Sequence, residues 1–214
     1  MIDWTGHPPF GRETGLKHTL ELLHERRAGR APLIVEIGTS ESYNPDGLGN
    51  ALLAFAWYTL MYGGKVKSVD TRAGAVHNSK LILEKYVQPV CEVEFYLADA
   101  YEWAPTVHEP IDLLYVDAGY ELSDDPDYAA FVKRHPEIPS FYVELFNQFE
   151  VECFRPGALM LFDDTDPVTF NGKGHALIPY LLGRPGQHWP PPLRWKQVEL
   201  RGVPVFPMVL LEKV

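Results

Sequence analysis

The stretch PLIVEIGTSESYNPDGLGNALLAFAWY, Pro32–Tyr58, decides how the rest of the chain is read. Apolar and β-branched residues from Leu33 to Gly38 form a short strand pattern ending in Glu36-Ile37-Gly38. An amphipathic run follows from about Leu48, with Leu52, Phe55, Ala56 and Thr59 on one helical face. Strand, loop and helix in that order open a nucleotide-binding α/β unit. The loop nevertheless excludes the commonest occupant of such a unit. After Gly38 the next glycine is Gly47, so there is no G-x-G-x-x-G to cradle a pyrophosphate.

Outward from this stretch, strands and helices alternate. A helix over Glu13–Arg27 places Leu16, Leu20 and Leu23 on one stripe. Strands are expected at Lys65–Asp70, Cys91–Asp99, Ile111–Asp117 and Ala158–Asp164. Helices are expected over His77–Val87 and over Ser140–Phe154, the latter stopped by Pro156-Gly157, with a short one over His175–Gly183 interrupted by Pro179. Alternation of this kind builds a parallel sheet covered on both faces. Leu193–Leu200 and Val203–Val214 then read as two strands separated only by about Arg201-Gly202-Val203, too short a link for a crossover and therefore an antiparallel hairpin. The fold class is α/β: a Rossmann-like doubly wound sheet of five parallel strands closed by a C-terminal hairpin.

With 214 residues, 46% apolar and 22% charged, the chain suits one core-bearing domain preceded by a helical cap over residues 1–30. A net charge of -10 argues against a nucleic-acid backbone or an anionic membrane as partner, since both need a basic face. Arg26, Arg27 and Arg30 read as a solvated helix end. Cys91 and Cys153 lack metal spacing and read as buried free thiols. The first residues lack a secretory pattern and no apolar run nears the ~20 residues of a membrane span. A cytoplasmic protein is expected, with a homo-oligomer left open.

In open parallel sheets, ligands bind beyond the carboxyl ends of the strands. Here each strand carries an acid at or near that end: Glu36, Asp70, Asp99, Asp117 and Asp163-Asp164. Such a rim repels phosphates but suits a cationic ligand bearing a ribose and a purine. Asp70 can accept from two ribose hydroxyls, Asp99 from an exocyclic amine, and Glu36 and Asp117 can face an amino group and a sulfonium.

The motifs VEIGTS, VKSVD, LADA, IDLLYVDAGY and FRPGALMLFDDT, in this order and spacing, resemble those of class I S-adenosylmethionine-dependent methyltransferases. The resemblance spans about Leu33 to Val214 and implies a cofactor domain over residues 31–214 with strand order 3-2-1-4-5-7-6. It implies S-adenosylmethionine contacts from Glu36, Gly38, Thr39, Ser40, Asp70, Thr71, Asp99, Ala100 and Asp117. Within the family the chain most resembles the metal-dependent small-molecule O-methyltransferases of macrocin and catechol type. That likeness implies a Mg²⁺ ion held by Asp117, Asp163 and Asp164, a small-molecule acceptor, and a hydroxyl methylated beside the metal.

One departure concerns the general base. Macrolide-sugar relatives carry an acid or a histidine shortly after the strand-4 aspartate, whereas this chain reads Asp117-Ala118-Gly119-Tyr120. Tyr120, with an ordinary pKa near ~10, is a poor base at neutrality, and His175 is the alternative. Three other readings stay open: a metal-independent methyltransferase, a cofactor-binding protein of the same fold without catalysis, and an NAD(P)-dependent oxidoreductase.

Overall fold

A computed structural model describes residues 2–8, 13–27, 29–39, 50–87, 92–118, 133, 141–149, 151–170, 172–183, 195–200 and 208–214. Seven strands form one sheet in the order β3-β2-β1-β4-β5-β7-β6. They are β1 (Leu33–Ile37), β2 (Lys65–Asp70), β3 (Val93–Leu97), β4 (Ile111–Val116), β5 (Phe154–Phe162), β6 (Trp195–Val198) and β7 (Val209–Lys213). β1 to β5 pair in parallel, and β7 runs antiparallel between β5 and β6. Fold class and strand order are those expected from the sequence.

The helices are α1 (Glu13–Arg26), α2 (Ala51–Tyr62), α3 (Ala73–Tyr86), α4 (Ala100–Trp103), α5 (Phe141–Gln148) and α6 (Leu177–Leu181). Strand alternation sends one set of side chains to each face of the sheet. Val35, Ile37, Leu114, Val116, Met160 and Phe162 join α5 and α6 on one face. Ile34, Leu113, Leu159 and Leu161 join α1 and α2 on the other. Leu16, Leu20 and Leu23 of α1 are all at most 1% exposed. Each contributes about 1.5–3 kcal/mol by burial.

Four local expectations need correction. α2 is not one-sided: every residue from Ala51 to Thr59 is buried. α1 and the segment before it cover its outer side, and Trp4 stacks on Trp57 with ring centroids 5.2 Å apart. The helix expected over Ser140–Phe154 ends at Gln148; a 3₁₀ turn, Val151–Cys153, leads straight into β5. Pro156 and Gly157 therefore lie inside β5, where the pairing jumps from Ile111↔Phe154 to Leu113↔Leu159. That bulge leaves them without a ladder position to fill, which is why a proline is tolerated there. Pro179 does not interrupt α6 but sits in its first turn, where its missing N–H costs nothing. The strands of the closing hairpin stop short of the expected bounds, β6 ending at Val198 and β7 beginning at Val209, while residues 201–207 between them lie outside the described residues.

Cys153 is a buried thiol that donates to the Val107 carbonyl at 3.2 Å, while Cys91 lies outside the described residues. The arginines near the end of α1 each have a partner: Arg26 pairs with Glu212 at 2.8 Å, Arg27 donates to the Tyr62 carbonyl at 2.6 Å, and Arg30 pairs with Asp112 at 3.2 Å. Among the described residues, no helix is long and apolar enough to cross a membrane.

Candidate functional site

The ladders extend one step past the strands and draw the acidic ends together. Gly38 N–H donates to the Val69 carbonyl and Asp117 N–H to the Ile37 carbonyl, both at 2.9 Å, and Asp163 N–H to the Val116 carbonyl at 3.1 Å. At Gly38 the backbone has φ +86, and a Cβ there would lie 2.9 Å from the Asp117 carbonyl carbon and the Ala118 nitrogen. Only glycine permits this approach of β1 to the end of β4. The demand is made by the fold itself, before any ligand is considered.

Asp70 is 6% exposed at the end of β2. Its Oδ2 accepts the Thr39 N–H at 2.9 Å, which fixes the carboxylate against the loop that follows β1. Thr39 is itself tied by a 2.8 Å hydroxyl contact with Ser79 of α3. Arg72 grips both Asp70 oxygens, Nε to Oδ1 at 3.0 Å and Nη2 to Oδ2 at 2.9 Å, with its backbone N–H on Oδ1 at 2.8 Å. A ribose approaching Asp70 must displace that guanidinium. Arg72 has the freedom to move, its side chain being 44% exposed. Thr71 is exposed beside it. Asp99 accepts the Tyr101 N–H on Oδ1 at 2.9 Å and thereby caps α4, whose first residue Ala100 is buried.

Glu36 faces the α1–α2 side of the sheet, in register with Ser68 on β2 and Tyr115 on β4. It is 1% exposed and accepts the Ser68 hydroxyl at 2.5 Å. Burial pushes its carboxyl up to about 8; the Ser68 hydrogen bond opposes the rise, and Asp117 and Asp70 add to it. Burial thus favours the neutral form of Glu36 in the protein without a ligand.

Asp117, Asp163 and Asp164 converge, with one carboxylate oxygen from each lying within 4.8 Å of the others. Asp163 is fully buried: Tyr115 OH donates to its Oδ2 at 2.8 Å and the Asp164 N–H to its Oδ1 at 2.9 Å. The same Tyr115 hydroxyl is 3.4 Å from Asp117 Oδ2. Lys173, absent from the sequence reading, completes the group. Its ammonium donates to Asp117 Oδ1 and, at 2.9 Å, to Asp164 Oδ2.

The segment after β5 places this lysine. Asp166 accepts from the backbone N–H groups of Val168 and Thr169 and from the Thr169 hydroxyl, closing a turn that Phe170 anchors in the core at 1% exposure. The chain then doubles back so that Gly172 bridges Thr165 in antiparallel fashion. Gly172 has φ +123, and a Cβ would lie 1.9 Å from the Asp164 carbonyl oxygen, so no other residue fits. Thr165 takes the Gly174 N–H at 3.2 Å and pins the far side.

Among the residues expected from the sequence, Asp117, Asp163 and Asp164 are brought together, and Gly38, Thr39 and Asp70 form a second group. His175 is exposed, its Nδ1 3.3 Å from the Gly172 carbonyl, and Lys173 rather than His175 reaches Asp117 from this turn. Tyr120 and Ser40 lie outside the described residues. Trp4 packs on the α1–α2 face of the sheet and Trp195 on the opposite one. A cleft of about 460 Å³ opens at the amino end of the sheet, away from the acids, beside the ion pairs Lys65–Glu109 and Arg30–Asp112.

No protein-family model matches the sequence, and no curated protein is similar to it. Solved structures are similar in fold. An rRNA methylase from Streptococcus thermophilus is 15% identical over 94% of this chain and 97% of its own, with a TM-score of 0.57. An O-methyltransferase from Bacillus cereus in complex with SAH is 16% identical over 92% of this chain and 80% of its own, TM-score 0.53. An SAH-bound methyltransferase from Podospora anserina is 17% identical over 91% and 76%, TM-score 0.52. The shared feature is the seven-stranded Rossmann-like sheet of class I methyltransferases, which this chain adopts with order 3-2-1-4-5-7-6.

Proposed function

We propose that the protein transfers the methyl group of S-adenosylmethionine to a hydroxyl of a small-molecule acceptor. The observation that carries this reading is Asp70: a nearly buried carboxylate at the end of β2, set by the Thr39 N–H where a ribose diol would meet it. Asp99-Ala100 and Asp117 stand at the neighbouring strand ends, on the sides where the purine and the sulfonium would lie. In the transfer, the sulfur–methyl bond breaks as the oxygen–methyl bond forms, the sulfonium becomes a thioether, and the proton of the acceptor hydroxyl passes to solvent water. Alignment of the two reactants is the main contribution a protein makes to such a displacement.

A net charge of -10 and the acidic rim disfavour a polyanionic acceptor, and the arginines at the end of α1 are already engaged within the fold. Magnesium does not fit the three-carboxylate cluster as folded. Lys173 already bonds Asp117 and Asp164, and both Asp163 oxygens accept protein hydrogen bonds. The transfer then rests on the chain's own groups.

Titration calorimetry with S-adenosylhomocysteine tests the cofactor assignment. The parent protein is expected to bind it, and Asp70→Asn to bind about 10–100-fold more weakly through loss of charge-assisted hydrogen bonds to the diol. Binding of NADH with none of S-adenosylhomocysteine overturns the reading. Label transfer from methyl-labelled cofactor into a panel of hydroxylated small molecules, with RNA alongside, then identifies the acceptor class.

A further inference from the structure

We propose that Lys173 is a tethered counter-ion standing where a divalent cation would otherwise join Asp117, Asp163 and Asp164. Three carboxylates with oxygens lying within 4.8 Å of one another call for a positive charge among them. The fold supplies that charge from its own chain. The Lys173 side chain is only 10% exposed, and its ammonium donates to one oxygen of Asp117 and one of Asp164.

This is a constructed position rather than the chance reach of a surface lysine. The residue before it has room for no side chain, and the residue after it is bonded to Thr165. The bridge between Thr165 and Gly172 sets the backbone so that the lysine stem runs back over Asp164. The remaining carboxylate, Asp163, is held differently, accepting hydrogen bonds from the Tyr115 hydroxyl and from a backbone N–H. Each of the three acids thus has a partner from the chain, and the coordination a Mg²⁺ ion would demand is pre-empted.

The counter-ion role stands on this geometry alone; its catalytic meaning rests on the methyl-transfer reading. If that reading holds, transfer proceeds without a metal. Without a metal to chelate, an acceptor with two adjacent oxygens is no longer required.

The test is Mn²⁺ binding, followed by electron paramagnetic resonance and calorimetry, on the parent, Lys173→Met, Asp164→Asn and the double variant. The parent is expected to take up no Mn²⁺ that Asp164→Asn abolishes. Lys173→Met is expected to bind one Mn²⁺ per chain, with affinity raised at least about tenfold by removal of the like charge, and the double variant to lose it. Uptake of one Mn²⁺ by the parent that disappears in Asp164→Asn overturns the proposal, as does a folded Lys173→Met that binds none. Should Lys173→Met fail to fold, the parent and Asp164→Asn decide alone, and Lys173→Arg is expected to restore the fold and stay metal-free. Calorimetry with S-adenosylhomocysteine on the same samples keeps the two readings apart: its failure would sink the cofactor assignment and leave the metal result standing.

Discussion

Burial favours the protonated form of Glu36 at neutral pH, and that has a measurable sign. In the unfolded chain its pKa is an ordinary ~4.3; in the fold, burial pushes it up to about 8. Below the lower value the group is protonated in both states and contributes nothing to pH dependence. Between the two values the unfolded chain releases a proton that the folded one keeps, so stability falls as pH rises. Above about 8 both states are ionised and the penalty is complete. Glu36→Gln keeps the shape and cannot ionise. Its melting temperature relative to the parent is expected to climb from about pH 5 to about pH 8 and then level off; an equal difference at both ends would mean that Glu36 is already charged in the fold. The sequence marked Glu36 as a strand-end acid but not which way it points, because β1 is buried on both faces and carries no alternation to read. Asp99, expected from the sequence to meet an exocyclic amine, caps α4 in the structure through the Tyr101 N–H, a local role that its place before Ala100 also permits.

At the scale of elements, runs with internal regularity were legible and junctions were not. β2 falls on Lys65–Asp70 as read, since turn residues bound it on both sides. Pro156-Gly157 misled because the pair is an ordinary helix stop, and only the partner strand reveals a bulge. The turn between β5 and α6 was the costliest miss. Lys173 meets Asp117 from 56 positions away, a pairing no local pattern announces. The lysine flanked by Gly172 and Gly174 just beyond an acidic strand end was the available signal. Gly172→Ala tests how rigidly this turn is built. The left-handed backbone alone makes the substitution cost about 1–3 kcal/mol, and the collision with the Asp164 carbonyl adds to it. A lower urea midpoint with an unchanged slope is the expected result. An undisturbed midpoint would show that the turn gives way and does not hold Lys173 in place.

For the molecule as a whole, the order of the sheet was legible through the resemblance of its motifs to those of class I methyltransferases, which implies 3-2-1-4-5-7-6. How the two faces are covered was not, since the packing of the first residues over α2 depends on contacts such as Trp4 with Trp57. The position of β7 carries a further consequence. Among the described residues, β6 joins the sheet through β7 alone, its pairs running from Trp195↔Lys213 to Val198↔Leu210. Any opening that detaches β7 releases β6 with it, whereas β6 can fray alone. Amide hydrogen exchange must then obey an inequality: the β6 amides bonded to β7 are never better protected than those of β7 facing β5. A β6 amide exchanging more slowly than its β7 neighbours would contradict the strand order. Obeyed, the inequality makes this edge the part of the sheet that opens first and at the lowest free energy.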